Sequence, residues 1–309
     1  MLFKAAKKFL LAKTEVTYGT DSVPTGAANA IETRNLTIEP IRAEVVQQAI
    51  DRGTLGGELG LHVGVHHALE FDVGFAASGT AGTAPGWGPV MKACGHSETI
   101  VAFTSVTYAP IDANIESVSM RVHADGELHN FVGCRGSVRL QTDTDGVPVW
   151  HFTMIGLYVA PSAVADPTPD ISAFVAPLPV SQSQSTFTLH GYTANGKTFT
   201  FDQQGDAQYL SLTDQESVEF VDRNAVGTMI MARPELSAKD FYAIAVANNL
   251  GAAQVVHGTT AGNIITFDAA QCQVLNPTHS EEKGVAMLNL DLGFYPSASG
   301  GDDYTWTLT

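Results

Sequence analysis

Histidine side chains are the residues of this sequence whose types and spacing come nearest to a chemical site. His62, His66 and His67 could together suggest a metal centre. On a strand His62 and His66 point the same way but are four residues apart, which is too far for one ion without curvature, and no Asp or Cys partner has a diagnostic spacing. We therefore interpret the three histidines as interface or surface residues and predict no metal site.

Two other segments resemble parts of known active sites. Residues 78–84 are glycine-rich but lack the GxxxxGK[ST] pattern, and Lys92 is too distant to contact a phosphate held there. Cys94 has His96 nearby, but proximity in sequence does not make a catalytic dyad, and Cys94 at the end of an apolar helix is better explained as a core residue. The motif Gly-x-Ser-x-Gly is absent. The sequence therefore predicts no catalytic residue, no cofactor and no enzyme.

Composition limits the classes of function further. The 309 residues include 16 Lys+Arg and 32 Asp+Glu, for a formal net charge of −16. Tight binding of nucleic acid needs clustered basic side chains that displace counterions from phosphate, and this chain lacks them. Hydrophobic residues make up 44%, enough for a packed core, and the length suggests two domains. Three widely spaced cysteines, Cys94, Cys134 and Cys272, indicate free thiols in a reducing compartment.

The N-terminal segment, residues 1–13, mixes apolar and basic side chains. Its lysines are spread out with no apolar h-region after them, and no run in the chain approaches the roughly 20 residues of a membrane-spanning helix. One alternative is an amphipathic helix on a membrane surface. We favour an arm that lies against a neighbouring subunit, because the rest of the chain is acidic. The predicted arm contacts are Phe3, Lys4, Lys7, Lys8 and Leu10.

Period-2 alternation predicts a mainly β chain. Val118, Met120 and Val122 alternate with polar residues, which is typical of a strand with one buried face. Asn195-Gly196 between two alternating segments predicts a hairpin turn, because both positions tolerate positive φ. Only two short helices are predicted, over 87–94 and over 241–250, the second capped by Ser237.

The two halves of the chain resemble one another. Phe152–Tyr158 aligns with Asn289–Tyr295, which places Gly156 on Gly293, and the order of strands, short helix, hairpin and final strand also repeats. A duplicated β domain suggests an assembly whose neighbouring copies use equivalent interfaces. The predicted organisation is domain 1 over 1–165, with the N-terminal arm and a long loop at 41–71, a Pro/Ser-rich linker over 166–184, and domain 2 over 185–309.

Four segments of the first domain carry a family resemblance. They are Ala12–Asp21, Asn35–Pro40, Arg52–Gly57 and Ser78–Gly95, the last of which runs into Glu98-Thr99. In order and spacing they resemble the major tail (tail-tube) proteins of long, non-contractile-tailed bacteriophages. The C-terminal half carries no such motif and is connected to the family only through the internal repeat.

The resemblance implies a structural virion protein. Its domains would be β-sandwiches that contribute strands to a large inner β-barrel, and rings of six such domains would stack around the path of the DNA. A chain with two copies implies a trimeric ring with pseudo-sixfold symmetry. The implied partners are further copies of the chain, a tape-measure protein and the terminator and distal proteins of the tail, with assembly in the host bacterial cytoplasm.

Two groups of residues acquire roles under this hypothesis. The glycine-rich segment 41–71 is longer than most loops without function, and we expect an ordered hairpin or loop that docks on the next ring. Its docking residues would be Arg52, Leu55, Gly56, Gly57 and Leu59. An acidic bore would repel the duplex and keep it mobile; the candidate acidic residues are Glu39, Glu44, Asp51, Glu58, Glu70 and Asp72 in the first copy and Glu216, Glu219 and Asp222 in the second.

Two functions from other classes compete with this hypothesis. One is a soluble two-domain β-sandwich module that binds carbohydrate or protein, for example in a baseplate. The other is a metal-dependent enzyme that uses the histidine cluster.

Overall fold

The computed structural model describes residues 4–51, 53–143, 146–181 and 183–309, which form a mainly β chain. The elements of the first half are β1 (Lys8–Thr14), α1 (Gly26–Asn29), β2 (Ala30–Ile31), β3 (Arg34–Gln47), β4 (Gly60–Gly74), α2 (Gly88–Ala93), β5 (His96–Val101), β6 (Ser105–Pro110), β7 (Val118–Ala124), β8 (Glu127–Asp143), β9 (Val149–Leu157) and β10 (Ser162–Ala163). Those of the second half are β11 (Ser185–Leu189), β12 (Tyr192–Ala194), β13 (Gly196–Asp202), β14 (Asp206–Ser211), β15 (Glu216–Asp222), β16 (Val226–Ala232), α3 (Phe241–Val246), β17 (Leu250–His257), β18 (Ile265–Glu282), β19 (Val285–Phe294) and β20 (Thr305–Leu308).

The two halves have the same strand topology. In the first half β1 pairs with β2 and β7, and the pairing continues through β7–β8, β8–β9, β9–β4 and β4–β3. In the second half β11 pairs with β12 and β17, and the pairing continues through β17–β18, β18–β19, β19–β16 and β16–β13. The predicted fold of two tandem β-sandwich-like domains is confirmed, and the described strands of one chain close no barrel. The domain boundaries themselves stay a prediction.

The alignment of the two copies was wrong by one residue in the last strand. Phe152 of β9 is buried opposite Phe71 of β4, and Leu290 of β19 is buried opposite Met229 of β16. Cys134 and Cys272 lie beside matching register irregularities, and the residues that follow them, Arg135 and Gln273, pair with Ile155 and Gly293. Ile155 is therefore equivalent to Gly293 and Phe152 to Leu290, and not to Asn289 as the Gly156–Gly293 match required. Because side chains alternate along a strand, a one-residue shift exchanges the buried face for the exposed one.

The Asn195-Gly196 hairpin was also wrong. The tight turn lies five residues earlier, at His190-Gly191, where both residues have positive φ (49° and 77°) and β11 pairs with β12. Gly196 instead begins a strand that leaves this pairing for β16 and β8. A Cβ at Gly196 would lie 2.6 Å from the Phe187 ring, so a glycine is needed where the chain passes over that side chain.

Both short helices are present, but α3 ends at Val246 and not at residue 250, where β17 begins, and its cap differs from the prediction. In α3 the capping residue is Asp240, whose Oδ1 accepts a hydrogen bond from the Ala243 amide at 2.9 Å, and not Ser237. The alternative of an N-terminal amphipathic helix was wrong for the described part of that segment, since residues 8–14 form β1 beside β7.

The core is continuous between the halves. Trp150 and Trp306 meet edge to face with ring centroids 4.7 Å apart, and Phe75 packs on both. Trp306 lies in β20, which pairs with β6 of the first half and with β18 of the second. The segment predicted as a linker runs along the first half, with Pro177 against Gly74 and with Val180 buried.

Pairing of β13 with β8 joins strands of both halves into one long sheet. β13 pairs with the outer edge of β8, opposite β9, with Phe201 beside Leu140 and Asp202 beside Arg139. The resulting order of eight strands is β3-β4-β9-β8-β13-β16-β19-β18. β8 and β18 are equivalent long strands. Each also pairs with a strand of its own half outside this sheet, β8 with β7 and β18 with β17.

His96 connects α2 with the C-terminal segment. It is fully buried, with Nδ1 3.1 Å from the Met91 carbonyl oxygen and Nε2 2.8 Å from the Tyr304 hydroxyl. The Met91 carbonyl can only accept, so Nδ1 carries the proton and Nε2 accepts from Tyr304. Burial lowers the pKa of His96 to about 4.

His96 should therefore make the protein sensitive to acid. Between about pH 6.5 and pH 4 the unfolded chain binds a proton at this residue and the folded chain does not, so the free energy of unfolding should fall with falling pH, by at most about 3 kcal/mol from this group. Urea unfolding at several pH values, compared between the wild type and His96→Gln, measures the effect. Identical pH slopes for the two proteins would contradict it.

Candidate assembly interface

The eight-stranded sheet has one buried face and one polar face. Side chains of the buried face, such as Phe71, Phe152 and Met229, belong to the core. The opposite face carries hydroxyl, amide and charged side chains. Its members include Thr37, Glu39, Glu70, Asp72, Arg139, Gln141, His151, Thr153, Thr200, Asp202, Thr228, Thr278, Ser280, Asn289 and Asp291.

Three of the nine acidic candidates lie on this polar face. Glu39, Glu70 and Asp72 are there, and His151 Nδ1 lies 2.6 Å from Asp72 Oδ1. Asp202 and Asp291 share the face but were missed, because in β13 and β19 only the strand register shows which way a side chain points. Arg139 is the basic side chain opposite Asp202.

The other six acidic candidates lie on hairpins. Glu44 pairs with Val63 in the outer part of the β3–β4 hairpin, and Asp51 and Glu58 lie in its loop, where the Glu58 carboxylate accepts from the Ile50 amide. Glu216, Glu219 and Asp222 lie on β15, in a separate two-stranded sheet with β14. Glu219 forms an ion pair with Arg135 at 2.8 Å. Their facing a bore stays a prediction.

The β8–β13 junction is tightly held. Phe199 and Phe201 of β13 are buried against Phe267. Just beyond the strand, the Gln203 side chain is fully buried; its Nε2 donates to the Cys94 carbonyl oxygen at 2.6 Å and its Oε1 accepts from the Val138 amide. The junction is therefore a permanent interface between two equivalent units of one chain.

The equivalent edges at the two ends of the sheet are open. Within the described residues, β3 pairs only with β4, and the segment 278–282 of β18 pairs only with β19. These two edges are the counterparts of β13 and of β8 in the junction. An open sheet edge is a template for pairing with another chain.

The β14–β15 hairpin lies over the first half. Val218 is fully buried, its amide donates to the Tyr18 hydroxyl, and Arg135 Nη1 donates to its carbonyl oxygen at 2.7 Å. The Tyr209 ring stacks on His66 with centroids 4.5 Å apart. The hairpin is thus seated by both apolar and polar contacts.

Glu15 holds the surface beneath this hairpin together. Its buried carboxylate accepts four hydrogen bonds, from the Gly19 and Gly133 amides and from the Ser117 and Ser119 hydroxyls, at 2.7 to 2.8 Å. It therefore joins the loop after β1 to β7 and β8. The sequence segment Ala12–Asp21 was recognised by its resemblance, but nothing in it indicated that Glu15 is buried.

The described residues of the long segment 41–71 form a hairpin. β3 and β4 pair from Arg34–Asp72 to Gln47–Gly60, with a loop over 48–59. Leu55 is fully exposed and Leu59 is 68% exposed, and Gly56 and Gly57 lie between them. Arg52, the fifth predicted docking residue, lies outside the described residues. Contact of this tip with another ring stays a prediction.

The predicted N-terminal arm is mostly bound to its own chain. Asp125 accepts from the Lys4 amide at 2.9 Å and from Lys7 Nζ at 3.0 Å, and these contacts lower its pKa. Lys8 Nζ donates to the Leu36 carbonyl oxygen. Leu10 is fully buried in the core, so it is not a contact for a neighbouring subunit. Phe3 lies outside the described residues.

The histidines separate into different environments. His66 lies against Tyr209, whereas His67 is buried between Phe131 and Tyr158 and burial lowers its pKa. The prediction of an interface or surface position was therefore wrong for His67. His62 lies on the exposed part of β4. Among residues 4–51, 53–143, 146–181 and 183–309, no three His, Cys, Asp or Glu side chains are grouped so that they could hold a metal ion.

The cysteines are buried free thiols. Cys94, Cys134 and Cys272 are each fully buried, and burial raises the pKa of all three, that of Cys272 to about 12.

No helix in the described part of the chain is long and apolar enough to cross a membrane.

The described strands form a duplicated β fold, with one sheet running through both copies and with equivalent open edges at its two ends. A family model described as phage tail tube protein matches residues 5–296, and the chain belongs to this family. The match extends through the C-terminal half, where no motif had been recognised. A search of curated proteins finds no match to this chain. The family is structural rather than enzymatic, and membership implies a virion component that self-assembles into a tube.

Glu15→Gln should destabilise the fold beneath the β14–β15 hairpin. The amide has one acceptor oxygen in place of two and leaves buried donors without partners, so the free energy of unfolding should fall by about 1–3 kcal/mol. Urea denaturation measures the change. Glu235→Gln, at an exposed carboxylate, is the matched control, and equal stability of the two variants would show that the four hydrogen bonds contribute nothing.

Proposed function

We propose that three copies of this chain form a closed ring through pairing of β18 in one copy with β3 in the next, and that such rings stack into the tail tube through which phage DNA passes. The observation that carries the proposal is the β8–β13 junction. It joins two equivalent units edge to edge, and its two halves recur, open, at the ends of the same sheet. A head-to-tail contact that repeats by rotation generates a ring.

The strand registers specify the new contact. Thr200 of β13 lies opposite Gln141 of β8. Through the shared pairings, Thr200 corresponds to Thr37 of β3, and Gln141 corresponds to Ser280 of β18. Thr37 of one copy would therefore lie opposite Ser280 of its neighbour, with both side chains on the polar face.

Three copies would supply the six units of the ring that the family resemblance implies. The ring would have pseudo-sixfold symmetry only, because the β5–β6 hairpin and β20 each occur once per chain. The tip of the β3–β4 hairpin, with Leu55, Gly56, Gly57 and Leu59, would contact the next ring, together with Arg52. In the virion the tube would meet a tape-measure protein and the terminator and distal proteins of the tail, after assembly in the host cytoplasm.

The polar face of the continued sheet would line the bore. Glu39, Glu70, Asp72, Asp202 and Asp291 lie on it. The basic side chains among them are Arg139 opposite Asp202, Arg34 opposite Asp72, and Arg42, which lies 3.8 Å from Glu39. Duplex DNA carries one negative charge per ~1.7 Å of axis. Excess carboxylates would repel the duplex, and few basic groups would bind phosphate, so the DNA could pass without being held.

A disulfide tests the ring contact. In Thr37→Cys/Ser280→Cys the two thiols would be directly opposed across an antiparallel pair, where Cβ atoms lie about 4.5–5.5 Å apart. Mild oxidation of assembled protein should give covalent dimers and trimers and no larger species. The matched control is Thr37→Cys/Asn289→Cys, which moves one thiol to the next strand on the same face.

Several outcomes would count against the proposal. If Thr37→Cys/Ser280→Cys assembles into rings but forms no disulfide between copies on oxidation, the proposed strand pairing is overturned. If oxidation gives covalent species larger than trimers, the proposed ring size is overturned. Negative-stain images that contain only dispersed monomers would instead favour a soluble binding module.

A further inference from the structure

The β3–β4 and β14–β15 hairpins are equivalent outgrowths of the two copies. Each follows an equivalent strand pair of the eight-stranded sheet, β3–β4 in the first half and β13–β16 in the second. Each also has a register irregularity near its base, between Arg42 and Glu44 in the first and between Asp206 and Ala207 in the second. When these irregularities are aligned, Val46, Leu61 and Val63 correspond to Tyr209, Val218 and Phe220.

The three positions are covered in the β14–β15 hairpin. Val218 is fully buried, and Tyr209 stacks on His66 of the first half. The Phe220 ring lies about 3.4 to 3.6 Å from the position that a Cβ on Gly95 would take. The surface that covers this hairpin belongs to the unit joined through the β8–β13 junction.

The corresponding side chains of the β3–β4 hairpin are exposed to solvent. Val46 is 43%, Leu61 is 42% and Val63 is 50% exposed. Apolar side chains that are covered in one copy of a repeat and exposed in the other indicate a contact that is missing in the isolated chain. By equivalence, the missing cover is the second half of a neighbouring copy.

The second half has the corresponding surface. Asn248 follows α3 as Gly95 follows α2, and both have positive φ, 53° and 78°. Gln273 of β18 corresponds to Arg135 of β8, and its Nε2 donates to Asn248 Oδ1 at 3.1 Å. Leu250 beside them is 50% exposed, so the surface offers apolar area together with polar groups.

We propose that Val46, Leu61 and Val63, the base of the β3–β4 hairpin, pack on Asn248, Leu250 and Gln273 of the adjacent copy in the same ring. This inference rests on the proposed ring. It divides the hairpin into two parts, because the loop over 48–59 extends beyond the counterpart loop over 212–215. The base would contact the adjacent copy in the same ring, and only the loop at the tip would contact the next ring.

Substitution of an exposed leucine tests the apolar contact. Leu61→Asp places a charge where the inference requires burial, and should raise the protein concentration needed for ring formation at least about tenfold, the equivalent of about 1.4 kcal/mol. Leu236→Asp is the matched control, at a leucine that is 63% exposed and outside both hairpins. Thermal unfolding of the unassembled variants shows whether both still fold. Ring formation by Leu61→Asp at the wild-type concentration would overturn the inference.

Cross-linking identifies the neighbour that is contacted. A short bismaleimide should join Val63→Cys/Asn248→Cys into covalent dimers and trimers in single, unstacked rings, while the three native cysteines stay unmodified because they are buried. Leu236→Cys/Asn248→Cys is the control and should stay monomeric on denaturing gels.

The outcome also separates this inference from the proposed function. A Thr37–Ser280 disulfide without the Val63–Asn248 cross-link would overturn the inference and leave the ring intact. Loss of both would overturn the ring as well. A cross-link that forms only in stacked tubes would place the base of the hairpin on the next ring, and would overturn the lateral contact.

Discussion

Backbone hydrogen bonding between β13 and the outer edge of β8 is the contact on which the rest of this structure depends. Without it, each half would be a small β unit with an unpaired edge at β13 or at β8. With it, the eight strands from β3 to β18 form one sheet with a buried face and a polar face. Phe199, Phe201 and Gln203 stabilise the junction by burying apolar area and by satisfying polar groups beneath it.

The junction also explains why the two copies differ in sequence. β13 and the β14–β15 hairpin meet their partner within one chain, where Val218 can be fully buried on folding. β3 and the β3–β4 hairpin have the same topology, but among the described residues they have no such partner. Under the proposed ring, their apolar residues would be exposed to water until another copy covers them, and half-exposed valines and leucines satisfy that condition better than large aromatic rings do.

Three buried polar groups lie where the halves and hairpins meet. Glu15, Gln203 and His96 each satisfy donors or acceptors from separate elements. Such groups are costly to bury unless every partner is in place, so they specify one arrangement of the strands. This accounts for polar residues in the interior of a protein whose family is structural.

Local pattern was sufficient for some features and insufficient for others. The strand around Val118 and the presence of two short helices were predictable, because they depend on residues close together in the chain. The single buried face predicted for that strand was wrong, since Ser119 and His123 are buried as well. The turn at His190-Gly191 was not, since the stronger hairpin signal of Asn195-Gly196 was overridden by the pairing of β13 with β8 and β16. The equivalence of Cys134 and Cys272, both buried beside a register irregularity, also became visible only with the strand registers.

The sequence by itself determined the β class, the duplication and the acidic character of the protein, because periodicity, turn residues and charge are local or summed properties. The tertiary structure alone decided that Leu10 is core, that Asp202 and Asp291 share a face with Glu39, and that the two halves form one sheet. Those facts depend on which strand edges meet, and partners far apart in the chain are selected by the fit of the whole core and not by the residues of either strand alone.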